Sequence, residues 1–178
     1  MSIEFTLNGD AGQLEQYYSL RERCFRDDLG LARFDGSEEE EDRMGQILLA
    51  LQDGTCVGGI RISPEAALPG QVDLLRLDRD KCCMWERFVI DPRVRTVQFF
   101  ASFCADLVST TREIGYHHAM ILSSLRNARF YRRCHAAMGV EFRILRQVPH
   151  CAQGEFAGLE HFLSVAHLPE EQALQVAV

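Results

Sequence analysis

Apolar and polar residues alternate from Ile3 to Leu7, the period of a strand with one buried face, and Asn8-Gly9-Asp10 then supplies a turn and an acidic helix cap. Leu14, Tyr17, Tyr18, Arg21 and Phe25 recur at helical spacing and predict a first helix. Gly30 and Gly36 are expected to loosen the next stretch, and the acidic run Glu38-Glu39-Glu40-Glu41-Asp42 to form a short helix or a mobile flap before Gly45. Two apolar runs, Ile47 to Leu51 and Cys56 to Ile62, flank Asp53-Gly54, the pattern of a hairpin with a tight turn. Pro64 to Pro69 breaks the pattern. Val72 to Leu77 reads as a strand or an irregular connection, and Trp85 to Ile90 as a strand ended by Asp91-Pro92.

In the second half, Phe99, Phe100, Phe103, Leu107 and Val108 mark a buried helix between Thr96 and Ile114, closed by Gly115. Ala119 to Leu122 is an interior strand, Asn127 to Met138 a helix ended by Gly139, and two further strands lie around Val140 to Leu145 and His161 to Val165. Repeats and low-complexity linkers do not interrupt this order. It predicts one α/β domain over residues 1–178, a mixed central sheet with helices on both faces, and a flexible or peripheral tail over 169–178.

Composition narrows the picture. At 178 residues and 47% hydrophobic, the chain can bury one sizeable core, while no apolar run approaches membrane-spanning length and no leader pattern opens it, so a cytoplasmic protein with no membrane partner is expected. The 7 cysteines form an odd set without a CxxC pair, which predicts reduced, structural thiols. His117 and His118 should point to opposite faces of a strand, and His150-Cys151 has no ligand spacing, so no metal is expected. A net charge of -7 argues against a nucleic-acid partner. Lys81 is the only lysine, and the arginines cluster at Arg93, Arg95, Arg126, Arg129, Arg132 and Arg133, which fits either a phosphate-bearing ligand or solvated helix surface.

Two segments resemble the GNAT superfamily of N-acyltransferases, within a likeness that runs from Ile3 to about Leu168. Glu86-Arg87-Phe88-Val89-Ile90-Asp91-Pro92-Arg93-Val94-Arg95 is similar to that family's fourth strand and the start of its pyrophosphate loop; Asn127-Ala128-Arg129-Phe130-Tyr131-Arg132-Arg133 is similar to its Asn-x-x-x-Tyr helix beside the cofactor. The resemblance implies a cleft between the two central strands. Gln98 and Phe100 stand where the family's loop has glycine or a small residue, and bulk there limits how closely backbone approaches a pyrophosphate. A narrower resemblance, to acyl-homoserine-lactone synthases and long-chain N-acyl amino acid synthases, rests on Arg21 before Phe25, on Glu39 and Asp42, on Arg61 after Gly58-Gly59, and on Trp85-Glu86-Arg87-Phe88. Here Leu31 replaces a tryptophan, Glu39 replaces an aspartate, and two residues are missing between Glu86 and Arg87.

This resemblance implies transfer of an acyl group, fatty acyl by the narrower likeness, from the pantetheine thioester of acyl-CoA or of an acyl carrier protein (acyl-ACP) to a small-molecule amine such as an amino acid. Glu86 would be the base, or else half of a salt bridge with a neighbouring arginine. Tyr131 would donate to the departing thiolate, or else pack in the helix interface. Phe88, Val89, Ile90, Arg93, Arg95, Thr96 and Asn127 would line the donor side, with backbone N–H groups near Phe88 and Val89 holding the oxyanion. Arg21, Glu39, Asp42, Arg61 and Arg87 would form an ion network on the acceptor side, which Phe25 would also line, or a cluster that only holds the fold. A conventional acetyl-CoA-dependent enzyme and a non-catalytic domain that binds an acyl ligand are the alternatives. An apolar tunnel between the central strands would favour a fatty acyl group, and a basic patch of Arg93, Arg95, Arg129, Arg132 and Arg133 a carrier-protein donor.

Overall fold

A computed structural model of the chain describes residues 2–64, 75–148 and 156–169. The alternating segment is strand β1 (Ile3–Leu7), and Asp10 then caps helix α1 (Ala11–Leu29) through a reciprocal pair of bonds with Gln13. Helix α2 (Glu40–Met44) follows, then strands β2 (Gln46–Gln52) and β3 (Thr55–Pro64), joined through Asp53 and Gly54, both at positive φ as a tight hairpin turn requires. Strand β4 (Cys82–Ile90), helix α3 (Val97–Glu113), strand β5 (His118–Ser123), helix α4 (Leu125–Ala137) and strands β6 (Glu141–Val148) and β7 (His161–His167) complete the order.

The seven strands make one sheet in the order β1-β2-β3-β4-β5-β7-β6, in which β4 and β5 run parallel and the other pairs are antiparallel. Each face carries its own apolar layer. Tyr17, Leu20, Cys24 and Phe25 of α1 pack with Ile47, Leu49, Leu51 and Val89 on one side. Phe99, Phe100, Phe103, Leu107 and Val108 of α3 pack with Leu48, Ala50, Val57, Ile60 and Trp85 on the other. Leu48 and Leu49 belong to opposite layers, which is why β2 reads as an unbroken apolar run rather than an alternating one. Each fully buried leucine or phenylalanine here contributes about 1.5–3 kcal/mol.

The mixed sheet and the two helical faces are as the sequence pattern predicts; several local expectations differ. Gly36 does not loosen its loop: a Cβ there would lie 2.5 Å from the Glu22 Cβ and the Tyr18 carbonyl, so glycine is what lets the loop lie against α1. The acidic run is no flap, because α2 is pinned by arginines described below. Strand β4 starts three residues before Trp85, and α4 starts two before Asn127 because the Ser124 hydroxyl accepts from the Asn127 N–H. Leu75 to Leu77 is not strand, and residues 72–74, most of the Pro64 to Pro69 break, His150, Cys151 and 170–178 lie outside the described residues. Leu168 is buried and its N–H bonds the His117 carbonyl, so the chain stays packed one residue beyond β7. Five cysteines (24, 56, 82, 83 and 104) are buried and Cys134 half-buried, all as free thiols.

Candidate active site

The parallel pair β4 and β5 holds register only from Cys82 to Met84, opposite His118 to Met120, and beyond that the two strands part. On its other edge β4 carries a bulge at the same level. Gly59 faces Val89 and Arg61 faces Glu86, so Arg87 and Phe88 together oppose Ile60 alone. Arg87 has φ 55°, a left-handed conformation that costs a non-glycine residue about 1–2 kcal/mol and persists where the surroundings enforce it. The bulge alters which side each residue faces. Glu86 and Arg87 both reach the α1/α2 face, where Arg61 and Glu39 meet them, and Phe88 packs on the α3/α4 face. The Arg87 carbonyl turns to the α1 face and accepts from the Tyr17 hydroxyl at 2.9 Å. In a trans peptide the following N–H points the opposite way, which aims the Phe88 N–H at the α3/α4 face.

On the α1/α2 face three arginines and three carboxylates interlock. Arg21, fully buried, grips both oxygens of Asp42 at 2.9 and 3.1 Å and donates to the Gly36 and Ser37 carbonyls. Arg61 bonds Asp42 at 3.1 Å, Glu39 at 2.6 Å and Glu86 Oε2 at 3.0 Å, and Arg87 holds Glu39 through both its oxygens at 2.8 and 2.9 Å. Burial would raise the Glu39 carboxyl, but the bond and charge of Arg87, then of Arg21 and Arg61, outweigh it and hold Glu39 below its ordinary value. Burial would likewise lower Arg61, and Glu86, Asp42 and Glu39 reverse that. The Ser63 hydroxyl adds a 2.7 Å bond to Glu86 Oε2, so both of these partners hold one carboxylate oxygen. Glu86 Oε1 has no partner among the described residues. Phe25 makes no ion pair; its ring meets Phe34 at a tilt and Phe156 edge-on, and the Phe156 ring lies 4.6 Å from the Arg87 guanidinium.

The α3/α4 face offers rings in place of charges. Phe88 meets Phe100 and Phe103 edge-on, and Tyr131 of α4 stacks flat on Phe100 at 5.7 Å while its ring meets Phe88 at 6.1 Å. Phe130 also meets Phe100, at 4.4 Å, and its ring lies 6.4 Å from that of Tyr131. The Tyr131 hydroxyl has no hydrogen-bond partner among the described residues, and burial raises its pKa, so it stays protonated through neutral pH. These rings bridge β4 to the helix after β5, at the level where the two strand backbones separate.

The cationic loop after β4 is bound inward. Arg93 closes on Asp91 at 2.7 Å and holds that carboxyl at about 2, whereas Arg95 donates to the Ile90 carbonyl at 2.8 Å and pairs with Asp28. The Thr96 hydroxyl caps α3 by accepting from the Phe99 N–H. The expected patch is thereby corrected: Arg93 and Arg95 already have carboxylate partners, while Arg126, Arg129, Arg132 and Arg133 lie exposed along α4 with no partner among the described residues. Asn127 is exposed in the first turn of the same helix. His118 pairs with His167 across β5 and β7, Nδ1 to Nδ1 at 3.0 Å, and among the described residues no three His, Cys, Asp or Glu are grouped to hold a metal ion.

The sequence motifs missed Tyr17 and Ser63. Tyr17 sits in the apolar stripe of α1 and Ser63 at the end of an apolar strand, positions where a polar atom leaves no spacing signal.

The overall fold is shared with known proteins. The acyl-homoserine-lactone synthase LasI superposes with a TM-score of 0.69 at 14% identity, covering 99% of this chain and 94% of that one. A CoA-dependent acyl-homoserine-lactone synthase, BjaI, solved with SAM and isopentyl-CoA, gives 0.66 at 20% identity over 93% of this chain and 80% of that one. An acetyltransferase of the GNAT family from Staphylococcus aureus Mu50 gives 0.64 at 12% identity over 94% and 100%. The chain has the GNAT fold. No protein-family model and no curated protein sequence matches it, so the GNAT assignment rests on the shape of the sheet. Among the described residues of this GNAT fold, no helix is long and apolar enough to cross a membrane.

Proposed function

We propose that the protein is an N-acyltransferase that joins an acyl thioester on the α3/α4 face of β4 to an amine on the α1/α2 face. One observation carries this reading: the bulge at Arg87 and Phe88 lies where β4 leaves β5, and presents on one face a carboxylate oxygen, and on the other a backbone N–H beside a phenol, the carboxylate oxygen and the phenol both without a partner among the described residues. The amine nitrogen attacks the thioester carbon and loses a proton to Glu86 Oε1. The carbonyl oxygen, now negative, is held by the Phe88 N–H, and collapse breaks the carbon–sulfur bond. Because burial raises the Tyr131 phenol above an ordinary thiol, Tyr131 hydrogen-bonds the departing thiolate, and the thiolate takes its proton from solvent. Arg87 and Glu39 border the acceptor side.

The donor is read as a fatty acyl group on an acyl carrier protein. Phe88, Phe100 and Tyr131 give the donor side an apolar wall, and Phe100 occupies a position where CoA pyrophosphate would need close backbone. The unpartnered arginines of α4 suit an acidic partner, on a chain whose own net charge is -7.

The test is to express the chain in a bacterium and compare organic extracts, by mass spectrometry, with those from cells carrying Arg87→Ala. N-acyl amino acids or lactones present in the wild-type extract and at least about 100-fold weaker in the variant are expected, since the variant loses the Glu39 clamp at the rim of the acceptor side. Extracts without such products, together with purified protein that releases CoA from acetyl-CoA and an amine panel, would replace this reading with an ordinary acetyltransferase. No turnover in either assay would leave a non-catalytic binding domain.

A further inference from the structure

The left-handed residue at the centre of the site is an arginine, which gains nothing from that conformation, so something else must hold it there. Tyr17 meets the need from α1. It is fully buried, and burial raises its pKa, which keeps the hydroxyl a donor at every working pH. That hydroxyl reaches across 70 residues of chain to the Arg87 carbonyl. Its ring lies so close to β3 that a Cβ on Gly59 would sit 2.5 Å from it, and the Arg21 guanidinium lies 5.4 Å from its centre. Glycine below and arginine beside thus fix the phenol under the bulge.

We infer that Tyr17 is a positioning residue: by holding the Arg87 carbonyl on the α1 face it fixes the Arg87–Phe88 peptide plane and aims the Phe88 N–H at the thioester oxygen. The inference rests on the acyl-transfer reading above. Without the Tyr17 hydroxyl, the peptide is free to rotate toward the β3 ladder, where its carbonyl finds other donors and the Phe88 N–H leaves the donor side. The same chain also supplies a reason for the glycine at position 59, which a side chain would displace.

Tyr17→Phe removes only the hydroxyl, leaving the ring on Gly59. The chain contains three Arg-Phe steps, 33–34, 87–88 and 129–130, so protein labelled with carbonyl-13C arginine and 15N phenylalanine gives three linked carbonyl–amide signals, two of them internal controls. In the variant, without any ligand, the 87–88 signal is expected to move while 33–34 and 129–130 stay. Turnover is then measured with octanoyl-ACP, octanoyl-CoA and acetyl-CoA and a panel of amino acids. The expected result is a kcat lowered by up to about 100-fold with KM for donor and acceptor within about twofold, the signature of an interaction made in the transition state. Gly59→Ala, which pushes the ring instead of deleting the donor, should displace the same signal and serves if the first variant folds poorly. An 87–88 signal that stays in place in both variants, or one that moves with kcat unchanged, overturns the inference. Wild-type protein inactive with every donor sinks the acyl-transfer reading and this role with it, whereas an active wild type with an unaffected variant sinks this role alone.

Discussion

The two faces of β4 are built from opposite materials within a few residues of each other. On the α1/α2 side, Arg21, Asp42 and Arg61 are buried charges joined by multiple bonds, and Glu39, Glu86 and Arg87 complete a set that balances to zero. On the α3/α4 side, Phe88, Phe100, Phe103 and Tyr131 meet through ring edges and faces, and the one polar side-chain group among them, the Tyr131 hydroxyl, has no hydrogen-bond partner among the described residues. The difference is one of stiffness. Each buried arginine on the first face has its partners fixed by geometry, so a change there leaves an unpaired charge. Rings on the second face are held by area and shape, and a thioester can displace them without stranding a hydrogen bond. The proposed transfer, which must hold a polar amine in one orientation and admit an apolar chain, calls for both.

Breaking the charged face should have the larger effect. Arg61→Ala leaves Glu86, Glu39 and Asp42 with one cation fewer in a buried setting, and is expected to lower stability on the order of 3–5 kcal/mol. Denaturant unfolding measures this, and Arg61→Lys should recover only part of it, because an ammonium cannot span three carboxylates as the planar fork does. A loss below about 1 kcal/mol would mean that the network is not the stiff half of the comparison.

The aromatic face should lose less and gain something in return. Phe100→Ala removes a buried ring that touches both Phe130 and Tyr131, with an expected cost of about 3 kcal/mol. It also clears the position where a small residue would let backbone approach a pyrophosphate, so calorimetric titration should show acetyl-CoA binding more tightly to the variant than to the parent. Unchanged or weaker binding would mean that Phe100 is not what bars the nucleotide, and the preference for a carrier-bound donor would lose its main support.

The two faces were also unequally legible in the sequence. Strand and helix order followed from apolar period, and most helix ends from caps such as Asp10, Thr96 and Gly115, because these signals act over a few residues. Arg21, Glu39, Asp42, Arg61, Glu86 and Arg87 could be singled out because they match, in order along the chain, the short motifs of the acyl-homoserine-lactone-synthase resemblance. The aromatic set could not be told from ordinary core, since Phe88, Phe100 and Phe103 fit both. The bulge was invisible as well: Arg87 carries no residue signal for a positive φ, and what enforces it lies 70 residues away in Tyr17. Phe25, expected on the acceptor side, packs with Phe34 and Phe156, and the Phe156 ring in turn lies over Arg87.

Acid should separate the two faces without any substitution. His135, buried on the α3/α4 side, donates from Nδ1 to the Tyr131 carbonyl and stacks on Trp85, and its Nε2 is buried without a hydrogen-bond partner among the described residues. Burial therefore lowers its pKa from 6.5, as it does for His118, where His167, His117 and Arg112 add to the lowering and Asp78 opposes it. Folded protein then binds fewer protons than unfolded protein, so stability is full above about pH 6.5 and falls as the pH drops through the lowered folded values. Glu39, on the charged face, is lowered from 4.5, so its contribution is lost only as the pH falls below that. Unfolding midpoints taken from pH 8 to pH 3 should show two descending phases. His135→Gln should shrink the upper phase and leave the lower one, and Glu39→Gln should do the reverse. If both variants altered a single shared phase, the two faces would be one coupled unit, and the contrast between a stiff acceptor side and a yielding donor side would not hold.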